Sequence, residues 1–586
     1  MNKNKAMAKE LRADFKDAKK ASQGRNQSRS KRSRTNRDRK NAAQQAGDSQ
    51  QNKFDATVAQ FNDPEWYASN PELLRDSASL SFNAATGAPI DLGLNNTIGS
   101  SIVQPAFGYK FWTLADGASS PKRIALNEQT MQSSPGVMAL ELVLTPGPSS
   151  DYYSPLNVAA RNIYTTIRQA NSGAKNYESA DLMMYLLAMD QCFAAFNWMK
   201  RAYGLINKYY QLNRYYPDAL IRANHIDPID MRSNLADFRY FINVVAAKLS
   251  AFCVPAHMKY FIRHSWLMSN VYKEGESDKS QMYEFVPAGF YRFNETFSSA
   301  DPGELEWESF TVTSGTAYSK ILSVNEIKDL INQLLTGIIS SEDCAVISGD
   351  IRKAYGESVF TLSPVDETYI VEPVYNEEVL SQIHNAVATG AISSNSSIRQ
   401  ENGQIIFTPS LAPFPDGFKL LLDARGDHTE PADVMVMTRL ANYVKSTSVS
   451  GAASETAFGS EMLTDFVLYA MVGGGSSVIY PPQVAFRKFR TYNRILNNVF
   501  DAQTISQTAY GQAITTVKLI AELEKFNFAP IIYYSFGVAS NTGADPSWIL
   551  PIIAGDLENY VTITYEEVDR MHQTALLSLF GVPFRQ

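Results

Sequence analysis

The chain has 586 residues, 45% of them apolar and 19% charged, with three cysteines and a net charge of −7. That is material for one large or two to three ordinary domains, and Cys192, Cys253 and Cys344 are too few and too scattered for a disulfide scaffold. A soluble protein of a reducing compartment is expected, since the first residues lack a signal-like apolar run and the longest uncharged run, Phe466 to Phe486, is interrupted by Gly473–Gly475 and Pro481–Pro482.

Charge divides the chain in two. Residues 1–40 hold 15 Lys/Arg against four acids, a net of +11, which leaves 38 basic and 56 acidic residues beyond them, a net of −18. Up to Lys53 the only large apolar side chains are Met1, Met7, Leu11 and Phe15. Burial cannot offset the ordering entropy of such a segment, so residues 1–53 are expected to be a disordered arm. Arg25, Arg29, Lys31, Arg32, Arg34, Arg37, Arg39 and Lys40 sit there among Ser, Asn, Gln and Thr. Closely spaced cations neutralise phosphates and release counterions, so these eight are the candidate nucleic-acid contacts. Without interleaved aromatics or a base-reading module, the contact is expected to be with backbone and independent of sequence. A solubilising or localisation tail is the alternative. A membrane surface is disfavoured, because the arm lacks a strong amphipathic face.

Order is expected from about Phe54. Met138–Leu144 reads as a strand before the turn residues Pro146–Gly147–Pro148. Ser154–Pro155 opens a helix in the preferred order. From Asp181 to Tyr210 the pattern is apolar nearly all round, which predicts a helix buried inside a large domain. Further helices are expected over 230–252 and 258–272. From about 275 to 430 the texture turns more β-like, with strands at Tyr283–Phe293 and Trp307–Val312. Ser323 and Glu326 form a capping box ahead of an apolar stripe running to Ile339. Helices are also expected at 377–388, 432–447, 461–472, 505–526 and 566–580, and a buried strand at Ala529–Val538. The sum is an α+β fold, predominantly α-helical.

Catalytic signatures are missing. Phosphate-loop and nucleophile-elbow spacings are absent, and Gly473–Gly475 reads as a flexible turn. Cys253, His257 and His264 come nearest to a metal cluster, although a packed thiol and two hydrogen-bonded imidazoles explain them more simply. Glu304, Glu306 and Glu308 alternate with Leu305 and Trp307, the pattern of a solvated strand face. Arg425–Gly426–Asp427 spells an adhesion tripeptide that a glycine turn also explains. Asp63–Pro64 is a conceivable trimming point in a linker. No catalytic residue, metal or cofactor is expected.

In the helical block the residues become specific. DLMMYLLAMD (181–190), MKRAYG (199–204), NRYYP (213–217), Ile226–Asp227–Pro228, LADFR (235–239), Cys253–Val254–Pro255, RHSW (263–266) and PAGFYRF (287–293) occur in order. Over about 180–295 the chain resembles the capsid proteins of picobirnaviruses, which are double-stranded RNA viruses. The resemblance implies a structural protein that assembles as symmetric dimers, about 60 of them, into an icosahedral shell. That shell encloses genomic double-stranded RNA and the viral polymerase. It also implies a helix-rich shell domain with a smaller, more β-containing protruding domain, located in the virion and, during assembly, in the host cytoplasm. Texture then divides the chain into the arm (1–53), shell (54–275), protruding, dimer-capping part (276–430) and shell again (431–586). A cellular RNA-binding scaffold with a basic tail is the competing reading.

Overall fold

The computed structural model describes chiefly residues 64–80, 136–208, 216–310, 321–471, 525–538 and 548–582, with short strands at 83–84, 486–491 and 495–496. The basic arm, the expected helix over 505–526 up to residue 524, Gly473–Gly475, Gly426–Asp427 and Asp63 lie outside the described residues.

The first described elements are a 3-10 turn at Pro64–Trp66 and helix α1 (Pro71–Ala78), whose N-terminal amides Asn70 caps. Strands β1 (Asn83–Ala84) and β2 (Val137–Leu144) follow, then α2 (Pro155–Ala170). The Ser154 hydroxyl makes no forward cap on α2 and instead accepts the amides of Ser150 and Asp151, closing the preceding turn. Helix α3 (Ser179–Asn207) is buried from Leu182 to Leu205 without interruption, as its all-round apolar pattern requires. Around it lie α4 (Tyr216–Ala223), α5 (Pro228–Ser233), α6 (Leu235–Leu249) and α7 (Lys259–Ser269).

The expected strand over 283–293 is two strands. β3 (Tyr272–Lys273) pairs antiparallel with β4 (Met282–Pro287), and β4 runs parallel to β2. At Ala288, whose amide bonds Leu142 O, the chain leaves that sheet. β5 (Gly289–Asn294) then pairs with β6 (Glu304–Ser309). Helix α8 (Val324–Ile339) carries the expected reciprocal capping box between Ser323 and Glu326. It lies so close to β5 that a Cβ on Gly337 would collide with Phe293 O. α9 (Glu342–Tyr355) and α10 (Glu377–His384) follow, joined by an extended strap over 357–376.

Short strands β7 (Arg399–Glu401), β8 (Gln404–Ile406) and β9 (Leu420–Asp423) precede α11 (Pro431–Met437). The helix expected over 432–447 ends at Met437, and β10 (Tyr443–Ser446) instead pairs with β11 (Ser454–Ala457). Residues 461–472 were expected to be helical but form β12 (Glu461–Met471), antiparallel to β2. An apolar run of that length is ambiguous by periodicity, and the open edge of β2 decides it. The last elements are β13 (Phe486–Thr491), β14 (Ile495–Leu496), β15 (Ile532–Val538), β16 (Trp548–Ala554), β17 (Asn559–Ile563) and α12 (Tyr565–Leu579).

The central sheet has the order β13-β12-β2-β4-β3. It draws on residues before 275, between 276 and 430, and after 431. All eight residues of β2 are buried, because α4 packs on one face while Tyr260 and Gln191 bond Thr145 O and Leu144 O from α7 and α3. One apolar core runs from Trp66 to Phe580.

Candidate functional site

Charges inside this core are the feature that needs explanation, since an unpaired buried charge is costly. They fall into clusters on the two faces of the central sheet. Register decides the side: Glu461 lies opposite Leu144, whereas Glu141, Glu284 and Asp465 share the face that carries Ala139.

On the first face, Arg263 Nε of α7 donates to Glu461 Oε1 at 2.8 Å, and its Nη2 donates to Gln382 Oε1 of α10 at 2.7 Å. Its neighbour His264 places Nδ1 2.6 Å from Asp190 Oδ2 of α3 and Nε2 3.8 Å from Glu461 Oε1. The Tyr67 ring has the Arg263 and Arg439 guanidinium carbons at 5.6 and 5.3 Å from its centre. Every one of these side chains is buried. Burial alone would raise the Glu461 pKa, but Arg263 and His264 outweigh it and hold the carboxyl below its ordinary 4.5. Asp190 goes the other way, raised by burial that His264 only partly opposes. Burial pushes Arg439 down to about 10 and Tyr67 up to about 12.

On the second face, Glu284 accepts from Asn224 Nδ2 at 2.7 Å, and Asn224 Oδ1 in turn accepts from the Arg201 guanidinium of α3. Arg201 also donates to the carbonyls of Leu267 and Asn270. Burial pushes the Glu284 carboxyl up to about 8, against the pull of Arg201 and Asn224. His225 Nε2 stands 3.4 Å from Glu141 Oε1, and Glu141 faces Asp465 across the β2–β12 ladder. Asp423 forms a third knot. It meets His384 Nε2 at 3.0 Å and accepts the amides of Glu558 and Asn559, which ties β9 to the start of β17.

These clusters join distant segments and open onto no substrate-sized cavity among the described residues. A dimple lined by Phe290, Arg292, Glu308, Leu330, Gln333 and Leu334 measures about 10 Å³, room for one water. No group of three His, Cys, Asp or Glu among the described residues is disposed to hold a metal.

The candidates from sequence separate accordingly. The arm residues Arg25, Arg29, Lys31, Arg32, Arg34, Arg37, Arg39 and Lys40 lie outside the described residues. Cys253, His257 and His264 diverge: the Cys253 amide bonds Ser348, His257 packs 5.1 Å from Tyr355, and His264 turns to Asp190. Leu305 and Trp307 are buried while Glu304, Glu306 and Glu308 are not, as alternation predicts, and Glu306 pairs with Arg292. Arg425 covers the Phe528 ring at 4.4 Å and bonds Asn527 O. Sequence reasoning missed the buried clusters, although lone charges inside apolar runs mark them: Asp190 in DLMMYLLAMD, Glu141 in VMALELVL and Glu284 in MYEFVP.

Comparison with known proteins gives this interior its context. Residues 66–409 match the family model of the picobirnavirus capsid protein. The chain belongs to that family. A capsid protein precursor of human picobirnavirus (strain Human/Thailand/Hy005102/-) is 28% identical over 606 residues, spanning 97% of this chain and 98% of that protein. The crystal structure of the picobirnavirus capsid has the same fold, with a TM-score of 0.64 and 22% identity over 88% of this chain and 98% of that one. The relationship therefore extends well beyond residues 180–295, into the C-terminal half where few motifs stand out. As a member of a capsid family the protein has a structural role, and its buried ion pairs tie distant segments of the fold together.

Proposed function

We propose that this picobirnavirus capsid protein assembles as dimers, about 60 of them, into an icosahedral shell around double-stranded RNA. The observation that carries the reading is the match along nearly the whole chain to a capsid protein precursor. Its first 40 residues bear +11 while the remainder bears −18. An acidic wall repels an anionic genome, so the arm supplies the attraction. Arg25, Arg29, Lys31, Arg32, Arg34, Arg37, Arg39 and Lys40 contact RNA phosphates without reading sequence. Net +11 over about 120 chains falls far short of several thousand base pairs, so small cations neutralise the rest. The packaged polymerase is a further partner, and assembly takes place in the host cytoplasm.

Residues 54–275 and 431–586 are assigned to the wall. Residues 276–430 are assigned to the dimer-capping projection, on a base that shares the core of the wall through β4 and α10.

Electron microscopy and nucleic-acid content of recombinant particles test this. Full-length chains should form uniform closed shells. Shells of a variant lacking residues 1–40 should still form and carry much less RNA. Small oligomers in place of shells would favour the RNA-binding scaffold, and unchanged RNA content would refute the role of the arm.

A further inference from the structure

Helix α6 spends one side on the core and shows a second apolar side to solvent. Its inner face carries Phe238, Phe241, Ile242, Val245 and Leu249, all buried. Successive helical residues turn by about 100°, so Ala236, Tyr240, Val244 and Ala247 fall together within about 80° on the outer side. No charged side chain stands in that row. Ala236, Tyr240 and Ala247 are exposed, Val244 is half-buried, and Ala251 continues the row just past the helix end, also exposed. The Tyr240 side chain stands out furthest, at 70% exposure. Single exposed apolar side chains are ordinary. A contiguous row along an outer helix face, where charged residues normally stand, marks a docking surface.

Neighbouring elements border the row on both flanks. On one flank stand Asp237, which the Lys328 ammonium of α8 meets, and Lys248, whose Nζ donates to Asn332 Oδ1 of the same helix at 3.4 Å. The Asp237 side chain is still 58% exposed. On the other flank the Asn243 side chain accepts from Val365 N at 2.6 Å and donates to Val365 O at 3.2 Å, fixing the strap alongside α6. Both α8 and the strap belong to the part assigned to dimer capping. An acid near the start of one flank and a base near its end make this face self-complementary once the helix is reversed.

We propose that α6 packs antiparallel against α6 of a second copy, across a two-fold axis that passes between Asn243 and Val244. Such an axis pairs positions equally far from that point, so the Tyr240 ring lands on Ala247 of the second copy and Ala236 lands on its Ala251. Each large ring thus enters a hole floored by a small side chain. The axis keeps each flank on its own side and reverses its direction, which brings Asp237 within reach of Lys248 of the second copy. A second copy fits this face because the face complements itself in shape and charge, and a capsid family implies self-association. One pair of 15-residue helices is small beside the roughly 1,200 Å² of a stable interface, so α8 and the strap share the contact. The inference rests on the assembly reading and names the surface at its two-fold contact.

Exchange of the ring and the hole in the full chain tests it, with the critical concentration for assembly read by light scattering and sedimentation at about 150 mM salt. Tyr240→Lys should raise that concentration at least tenfold and leave the urea midpoint of dispersed subunits unchanged, because the position is exposed. Tyr240→Ala and Ala247→Tyr should each raise it at least threefold. The two together should restore it to within about twofold, since a ring again meets a small side chain. Helix axes about 8–10 Å apart place Cα atoms beside the two-fold roughly 4–6 Å from each other, within disulfide range. Val244→Cys should therefore join two copies through its own thiol when shells are treated with oxidised glutathione, whereas Gln169→Cys on the exposed side of α2 should not. This crosslink keeps the test decisive if a ring variant fails to fold. An unchanged critical concentration for Tyr240→Lys, failure of the double variant to recover, or shells without the Val244→Cys crosslink each overturns the packing. If Tyr240→Lys assembles normally but loses RNA, the face serves the genome and the packing is again overturned. Absence of shells from the unsubstituted chain would defeat the assembly reading itself.

Discussion

Glu461→Gln tests most directly whether the buried ion pairs hold the fold together. The substitution keeps shape and volume, so it creates no cavity, but it removes the carboxylate that accepts Arg263 Nε at 2.8 Å and lies 3.8 Å from His264 Nε2. Arg263 and Arg439 are both buried, and Asp190 would be the remaining carboxylate of the cluster. Removing one partner of a buried pair costs about 3–5 kcal/mol, because the other charge stays uncompensated. Urea unfolding of dispersed subunits at pH 7 should show that loss at unchanged slope. Adding Arg263→Met should return much of it, since a buried pair replaced by apolar groups of similar volume is often neutral. The pH dependence has a definite sign. The Glu461 pKa is depressed in the fold, so its contribution is present above about 4.5 and is lost as pH falls through the lower folded value. The variant should therefore converge on the parent in acid. A loss below about 1 kcal/mol at pH 7, or one that persists unchanged in acid, would refute the reasoning.

Glu284→Gln should behave in the opposite sense. With the carboxyl raised to about 8 from 4.5, its favourable contribution is complete below 4.5 and fades as pH rises through about 8. The variant should remove that alkaline loss, on the order of 4 kcal/mol at most, when unfolding is compared at pH 5 and pH 9. Gly204→Ala should loosen the strap, because a Cβ there lies 2.6 Å from Val371 Cγ2 and 2.9 Å from Val371 N. A cost of about 1–3 kcal/mol and faster proteolysis within 361–376 are expected, and unchanged cleavage would argue against close packing.

Local physics was legible where it was strong. The all-round burial of α3 follows from its composition, the Ser323–Glu326 box marks α8, and the alternation at 304–308 describes β6 correctly. What failed depends on distant partners. Glu461–Met471 is equally apolar as helix or strand, and only its pairing with β2, more than 300 residues earlier, selects the strand. The break at Ala288 likewise depends on a bond to Leu142 O. Lone acids in apolar runs announced that buried partners must exist, but not that Arg263, His264 and Arg201 would be those partners. The candidate RNA contacts, by contrast, are readable only as sequence, through density of charge.

The order of strands in the central sheet has a consequence for biosynthesis. β2 emerges from the ribosome early, yet its parallel neighbour begins at Met282 and its antiparallel neighbour at Glu461. Until about four-fifths of the polypeptide has been made, a strand destined for complete burial waits with at least one edge unpaired, a state that is slow to resolve and prone to aggregation. A nascent subunit thus cannot complete its central sheet until β12 has been made, so factors that shield exposed strand edges should raise the yield of folded subunits.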